Sequence, residues 1–188
     1  MNSEINITVD KIEEYINSIQ LKDAFYFYNT EHINEIPISN SDSFGKLYVG
    51  NCNVPHYISD LSLNLVLSLF PVNNTIIHDD CIRYECDIQD IIDQKSYNKM
   101  NEILDEFISI INDNLIKKRN VAVHCLAGIS RSTTVILDYL LTYNYNNDVN
   151  DIYLALNHLI LFRKVARPNK KFLELILERH INRINSIN

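Results

Sequence analysis

His124-Cys125-Leu126-Ala127-Gly128-Ile129-Ser130-Arg131-Ser132 lies between a short β-prone run and a long helical pattern. Upstream, Asn120-Val121-Ala122-Val123 follows a basic patch, Lys117-Lys118-Arg119, and reads as a buried strand. Downstream, apolar residues recur at helical spacing from Thr133 to Leu141. The nine residues therefore join a strand end to a helix start. At such a junction free backbone N–H groups and the positive end of the helix dipole point into the loop, which becomes an anion site.

A cysteine in that loop has its thiolate stabilised by the same donors, which can bring its pKa from about 8.5 to between roughly 3.5 and 7.5. Cys125 is thus a candidate nucleophile at neutral pH. Arg131 offers a planar fork that can hold two oxygens of a phosphoryl group, a geometry lysine cannot reproduce. Gly128 lets the backbone turn its amides inward. The Ser132 hydroxyl lies where it can donate to the departing sulfur, and His124 can order the loop from behind. A buried structural cysteine next to a capping serine would explain Cys125 alone, but not the glycine and arginine at these spacings.

The pattern His124-Cys125-x-x-Gly128-x-x-Arg131-Ser132 matches the signature of the cysteine-dependent phosphatases. Ala127-Gly128-Ile129-Ser130-Arg131-Ser132 most resembles the dual-specificity protein phosphatases. The resemblance implies an α/β fold, a central and mostly parallel sheet of about four to five strands flanked by helices. It also implies a loop, Leu126, Ala127, Gly128, Ile129, Ser130 and Arg131, that binds the substrate phosphate.

The 188 residues suit one globular unit, with 46% apolar and 22% charged residues. A formal net charge of −7 argues against a broad nucleic-acid or anionic-membrane surface. Basic residues collect at 117–119 and 163–171, where solvated helix ends are the plain alternative to phosphate binding. Cys52, Cys81, Cys86 and Cys125 show neither metal-ligand nor disulfide-framework spacing, so no metal or other cofactor is expected, and a reducing compartment is. With no membrane-length apolar run or signal-peptide start, the expected location is cytoplasmic. The Asn- and Ile-rich composition hints at an AT-rich, viral or parasitic source.

Along the chain, Val9, Ile12, Ile16 and Ile19 predict an amphipathic helix over residues 8–28. Residues 29–45, rich in Asn, Ser and Glu, read as a linker. The expected division is therefore 1–45, helix and linker, and 46–188, catalytic domain. Strands are expected at 47–51, at 65–69, and where Ile82, Tyr84, Cys86 and Ile88 alternate with polar neighbours to give one solvated face. A loop passes through Pro71, Asn73 and Asn74. Short helical structure is expected at 55–61, and a long helix with Met100, Ile103, Leu104, Phe107, Ile111 and Leu115 on one face. Helices follow from 132 to 145, from 148 to 162 and from 171 to 184.

A thiolate attacking phosphorus needs an acid to protonate the leaving oxygen. The stretch Asp87-Ile88-Gln89-Asp90-Ile91-Ile92-Asp93 supplies three candidates. Cys86-Asp87-Ile88-Gln89-Asp90 resembles the family's strand-end segment and points to Asp90, whereas spacing from the cysteine favours Asp93. Asp87 is the third. Any of them can instead cap the following helix. Residues 163–172 resemble the family's Arg-x-x-x-x-Pro-Asn-x-x-Phe segment, in which the asparagine helps hold the phosphate loop, so Asn169 is a supporting candidate beside a plain capping role.

The resemblance implies a phosphoprotein phosphatase accepting phosphotyrosine and phosphoserine/phosphothreonine, with no metal needed. No extra lysines line the loop, as they do in inositol-phospholipid relatives, and no tyrosine-recognition segment is evident. An RNA 5′-triphosphatase is the enzymatic alternative, weakened by the net acidity. A catalytically silent phosphoprotein-binding module is the other, although Cys125 and Arg131 are both present. The N-terminal helix is similar to that of poxvirus-encoded members, which dimerise through it. That likeness implies a homodimer acting on host signalling phosphoproteins, in host cytoplasm or carried in the virion.

Overall fold

The computed structural model describes residues 7–20, 31–38, 43–72 and 80–187. Its elements are α1 Val9–Gln20, β1 Ile33–Ile36, β2 Leu47–Gly50, a 3-10 turn Val54–Tyr57, β3 Leu63–Ser68, β4 Ile82–Glu85, α2 Gln94–Ile116, β5 Asn120–His124, α3 Arg131–Tyr143, α4 Asp151–Phe162 and α5 Lys170–Ile187. The five strands form one sheet in the order β1-β2-β5-β3-β4, parallel except for β1.

The central strand β5 is apolar because both its faces are covered: Val121, Ala122 and Val123 are fully buried. α3 follows it and is buried on all sides from Arg131 to Leu141, as a helix enclosed by α2, α4 and α5 must be. Within it the buried Asp138 carboxylate accepts from Arg179 Nε at 3.0 Å and Arg183 Nη1 at 2.9 Å, tying α3 to α5. On the opposite face, Tyr48, Val54, Ile58, Leu63, Val66 and Ala122 form a smaller cluster beneath the 3-10 turn. The loop after β5 thus opens at the carboxyl ends of the parallel strands, where open α/β sheets place their ligands.

Two expectations change. Residues 29–45 are not simply a linker: β1 pairs antiparallel with β2, Ile33 opposite Gly50 and Ile36 opposite Leu47. Its four residues include Asn34 and Glu35, which hide the signal, while Ile36 and Ile38 are buried. β4 does not bury the expected apolar face, since Ile82 and Tyr84 are exposed on an edge strand and only the later Ile88 is fully buried. The first helix is described to Gln20, so the expected stretch 21–28, like Asn73 and Asn74, lies outside the described residues.

Ile12 and Ile16 of α1 are buried in the chain's own core against the α4–α5 side. Tyr15 meets Tyr153 edge-on with ring centres 5.1 Å apart, and Lys170 pairs with Asp10 at 2.7 Å. Among the described residues no helix is long and apolar enough to cross a membrane.

Candidate active site

Cys125 stands at the β5 terminus, with its residue 1% exposed. The Gly128 N–H donates to its Sγ at 3.2 Å, and the Ser132 hydroxyl lies 3.3 Å from it. Burial alone would raise this thiol. The Ser132 hydroxyl and amide, the Arg131 charge and the Gly128 amide outweigh burial together and bring it below its usual value of 9.0. Gly128 is required twice over. Its φ is +66°, and a β-carbon there would lie 2.4 Å from Arg163 Nη2 and 2.6 Å from the Gly50 carbonyl oxygen.

Arg131 opens α3, and its position is set from two sides. Nη1 donates to the carbonyls of Ile88 at 2.9 Å and Leu69 at 3.3 Å. Its Nε is buried with no hydrogen-bond partner among the described residues, 3.8 Å from Asp90 Oδ2. One edge of the fork is therefore anchored in protein and the other remains able to bond an oxygen.

The three aspartates separate by their contacts. Asp93 caps α2 by accepting from the Ser96 N–H at 2.7 Å, which holds its carboxyl below the usual range. Asp87 accepts from Gln89 at 2.9 Å. Asp90 alone of the three reaches the loop, where its Oδ1 accepts from the Ser130 hydroxyl at 2.7 Å and from Asn169 Nδ2 at 2.8 Å. Oδ1 is thereby committed, and Oδ2 lies on the Arg131 side, 3.8 Å from its Nε.

Asn169 fills the capping role, and its side chain reaches Asp90 rather than the phosphate loop. Its Oδ1 accepts from the Phe172 N–H at 3.1 Å at the start of α5, while its amide group holds Asp90. His124 is fully buried, with Nε2 2.6 Å from the Ser68 hydroxyl and its ring edge-on to Phe70 at 5.4 Å. Burial above all, with the Arg83 charge adding and a backbone bond involving Asn51 opposing, pushes its pKa down to about 4. It therefore sits at the end of β5 as a neutral ring, packed on Ser68 and Phe70.

This neutrality has a measurable consequence. Between the free value of 6.5 and about 4, the unfolded chain binds a proton at His124 that the folded chain refuses, so stability falls as pH falls through that window. The loss should reach about 3 kcal/mol at the acid end. Urea midpoints across the window should fall less steeply in His124→Gln, the remainder reflecting other groups such as His180, which shifts in the same direction through burial.

Arg163, for which a solvated helix end was one of two readings, is 1% exposed. Nε donates to the Gly128 carbonyl at 3.0 Å and Nη2 to Ala127 at 3.3 Å, while Nη1 reaches the Glu31 carbonyl at 2.6 Å and Asn34 Oδ1 at 2.8 Å. It draws loop carbonyls outward, as amides pointing inward require. Burial lowers its pKa, and the neighbouring Cys125 charge opposes that fall. The family-like spacing Arg163 to Pro168-Asn169 was the signal that could have found it. The remaining loop residues Leu126 and Ile129 are exposed, as are Ile91 and Ile92 beside Asp90, while Ala127 is also on the surface.

Comparisons with known proteins agree with this geometry. A probable dual specificity protein phosphatase of Dictyostelium discoideum is 29% identical over 149 residues, covering 78% of this chain and 61% of that protein. A relative from Amsacta moorei entomopoxvirus is 26% identical over 100 residues, covering 50% of this chain and 58% of that one. The chain thus spans about three fifths of the length of each. The solved structure of human DUSP28 superposes with a TM-score of 0.65 at 13% identity, covering 84% of this chain and 97% of that one, a likeness of fold. The model of the "Dual specificity phosphatase, catalytic domain" family matches residues 46–181, and with the loop around Cys125 inside that span the chain belongs to this family.

Proposed function

We propose that the chain is a protein phosphatase that hydrolyses phosphotyrosine and phosphoserine/phosphothreonine through a cysteinyl-phosphate intermediate. The observation that carries this reading is the convergence on one loop of a thiol lowered by its donors, the open edge of Arg131 and a carboxyl group bonded to Ser130. In the first step the Cys125 thiolate forms an S–P bond as the P–O bond to the substrate breaks, and Asp90 Oδ2 gives its proton to the leaving oxygen. Arg131 and the loop amides follow the charge on the transferring oxygens. In the second step Asp90 takes a proton from water, the hydroxide oxygen bonds phosphorus, and the sulfur leaves as a thiolate accepting from Ser132.

The exposed apolar side chains Leu126, Ile129, Ile91 and Ile92 and the net charge of −7 support a phosphorylated protein over RNA as substrate. The entomopoxvirus relative supports a poxvirus-type source, and host phosphoproteins in the cytoplasm are the proposed targets. A homodimer through α1 is part of the same proposal. With Ile12 and Ile16 occupied, it would use the polar outer face or exchange the helix between copies, which light scattering of the full chain tests.

Asp90→Asn should lower kcat on phosphotyrosyl and phosphothreonyl peptides about 100-fold, with KM little changed. An unchanged rate would move the acid to Asp93 or Asp87. Faster phosphate release from triphosphate-ended RNA than from either peptide would overturn the substrate assignment.

A further inference from the structure

We propose that α1 is a working part of the catalytic apparatus: Gln20, by gripping the backbone of residues 164–166, positions the segment that sets Asp90 and the phosphate loop. The inference rests on Asp90 being the proton donor. Residues 163–169 join α4 to α5 without a strand ladder or helix of their own, so their hydrogen bonds to other segments decide where they lie.

Those hydrogen bonds act on two sides. From within, Arg163 holds the Gly128 and Ala127 carbonyls, and the Arg167 N–H donates to the Ile129 carbonyl at 2.7 Å. Asn169 then donates through its backbone N–H to Ser130 Oγ at 3.1 Å and through its side chain to Asp90 at 2.8 Å. From outside, Gln20 Nε2 donates to the carbonyls of Lys164 at 3.1 Å and Ala166 at 3.0 Å, and Asn17 Oδ1 accepts from Arg167 Nη2 at 2.6 Å. The residues gripped by α1, 164, 166 and 167, therefore lie between Arg163 and Asn169, which grip the active site, and Arg167 is held on both sides.

Gln20 is only 5% exposed, and its Oε1 has no hydrogen-bond partner among the described residues. Its amide is there for its donors: the reverse orientation would set an oxygen against two carbonyls. Removing the donors leaves both carbonyls short of a partner in a place with little water, and the segment relieves that cost by moving. Asn169 moves with it, and Asp90 loses its aim at the leaving oxygen. Gln20 is thus a positioning residue, acting through two backbone carbonyls and Asn169.

The test is Gln20→Met in the full chain, which keeps length and apolar bulk and drops the donors. It compares kcat/KM for phenyl phosphate, whose leaving oxygen needs a proton, with that for dinitrophenyl phosphate, whose leaving oxygen does not. The ratio of the two is independent of the folded fraction. We expect it to fall about tenfold in Gln20→Met, and about twofold in Asn17→Ala, which touches an exposed contact and guards against a Gln20 variant that fails to fold. Equal losses on both substrates would mean general loosening and would overturn the inference. A ratio that falls in Asp90→Asn but not in Gln20→Met or Asn17→Ala would overturn it while leaving Asp90 as the acid. A ratio unchanged even in Asp90→Asn would remove the acid itself, and the inference with it.

Discussion

Cys125→Ser should lower turnover of aryl phosphates and phosphopeptides by roughly 10,000-fold or more, while binding of inorganic phosphate survives. Serine at this position keeps the size of the loop but is not ionised at neutral pH. The thiol is drawn below 9.0 by Ser132, Arg131 and Gly128 in spite of its burial. Its anionic fraction therefore grows as pH rises through a value under that of a free thiol, and iodoacetamide should modify Cys125 with its half-maximal rate at correspondingly lower pH. Cys81 and Cys86 shift the other way, through burial, and should lag. Mass spectrometry of the modified peptides separates the sites. Equal slow turnover in the wild-type and Ser proteins would support a silent phosphoprotein-binding module instead.

Arg131→Lys should cost about 1,000-fold in kcat/KM, most of it in kcat. The guanidinium performs two tasks at once. Nη1 is spent on the Ile88 and Leu69 carbonyls, which set the plane of the group, and the buried Nε edge then faces the site. A lysine ammonium can satisfy the carbonyls or an incoming oxygen, but has no rigid second edge. Because charge gathers on the transferring oxygens during the reaction, the loss falls mainly on the transition state rather than on binding. Steady-state kinetics on one phosphotyrosyl peptide measure the division. A loss confined to KM would make Arg131 a ground-state anchor only.

The nine residues around Cys125 were legible because strand, turn and helix follow one another there and each role is set by local spacing. Asp90 was less so: Asp87, Asp90 and Asp93 share one short run, and the choice lies in contacts to Ser130, 40 residues away, and to Asn169. Asp93 had the better spacing and spends its carboxylate on a helix cap. Arg163 was left between two readings because pattern reading assigns cations to the surface, whereas this one is buried on carbonyl oxygens. β1 escaped because a four-residue edge strand with Asn34 and Glu35 in its middle has little periodicity to show.

Arg163 joins the loop at Gly128 to the Glu31 carbonyl, a contact spanning 132 positions of the chain. Loop closure of that length is entropically expensive and comes late in folding. A chain that has already made the strand and the cysteine lacks this clasp until residue 163 has been added and has folded back onto Glu31.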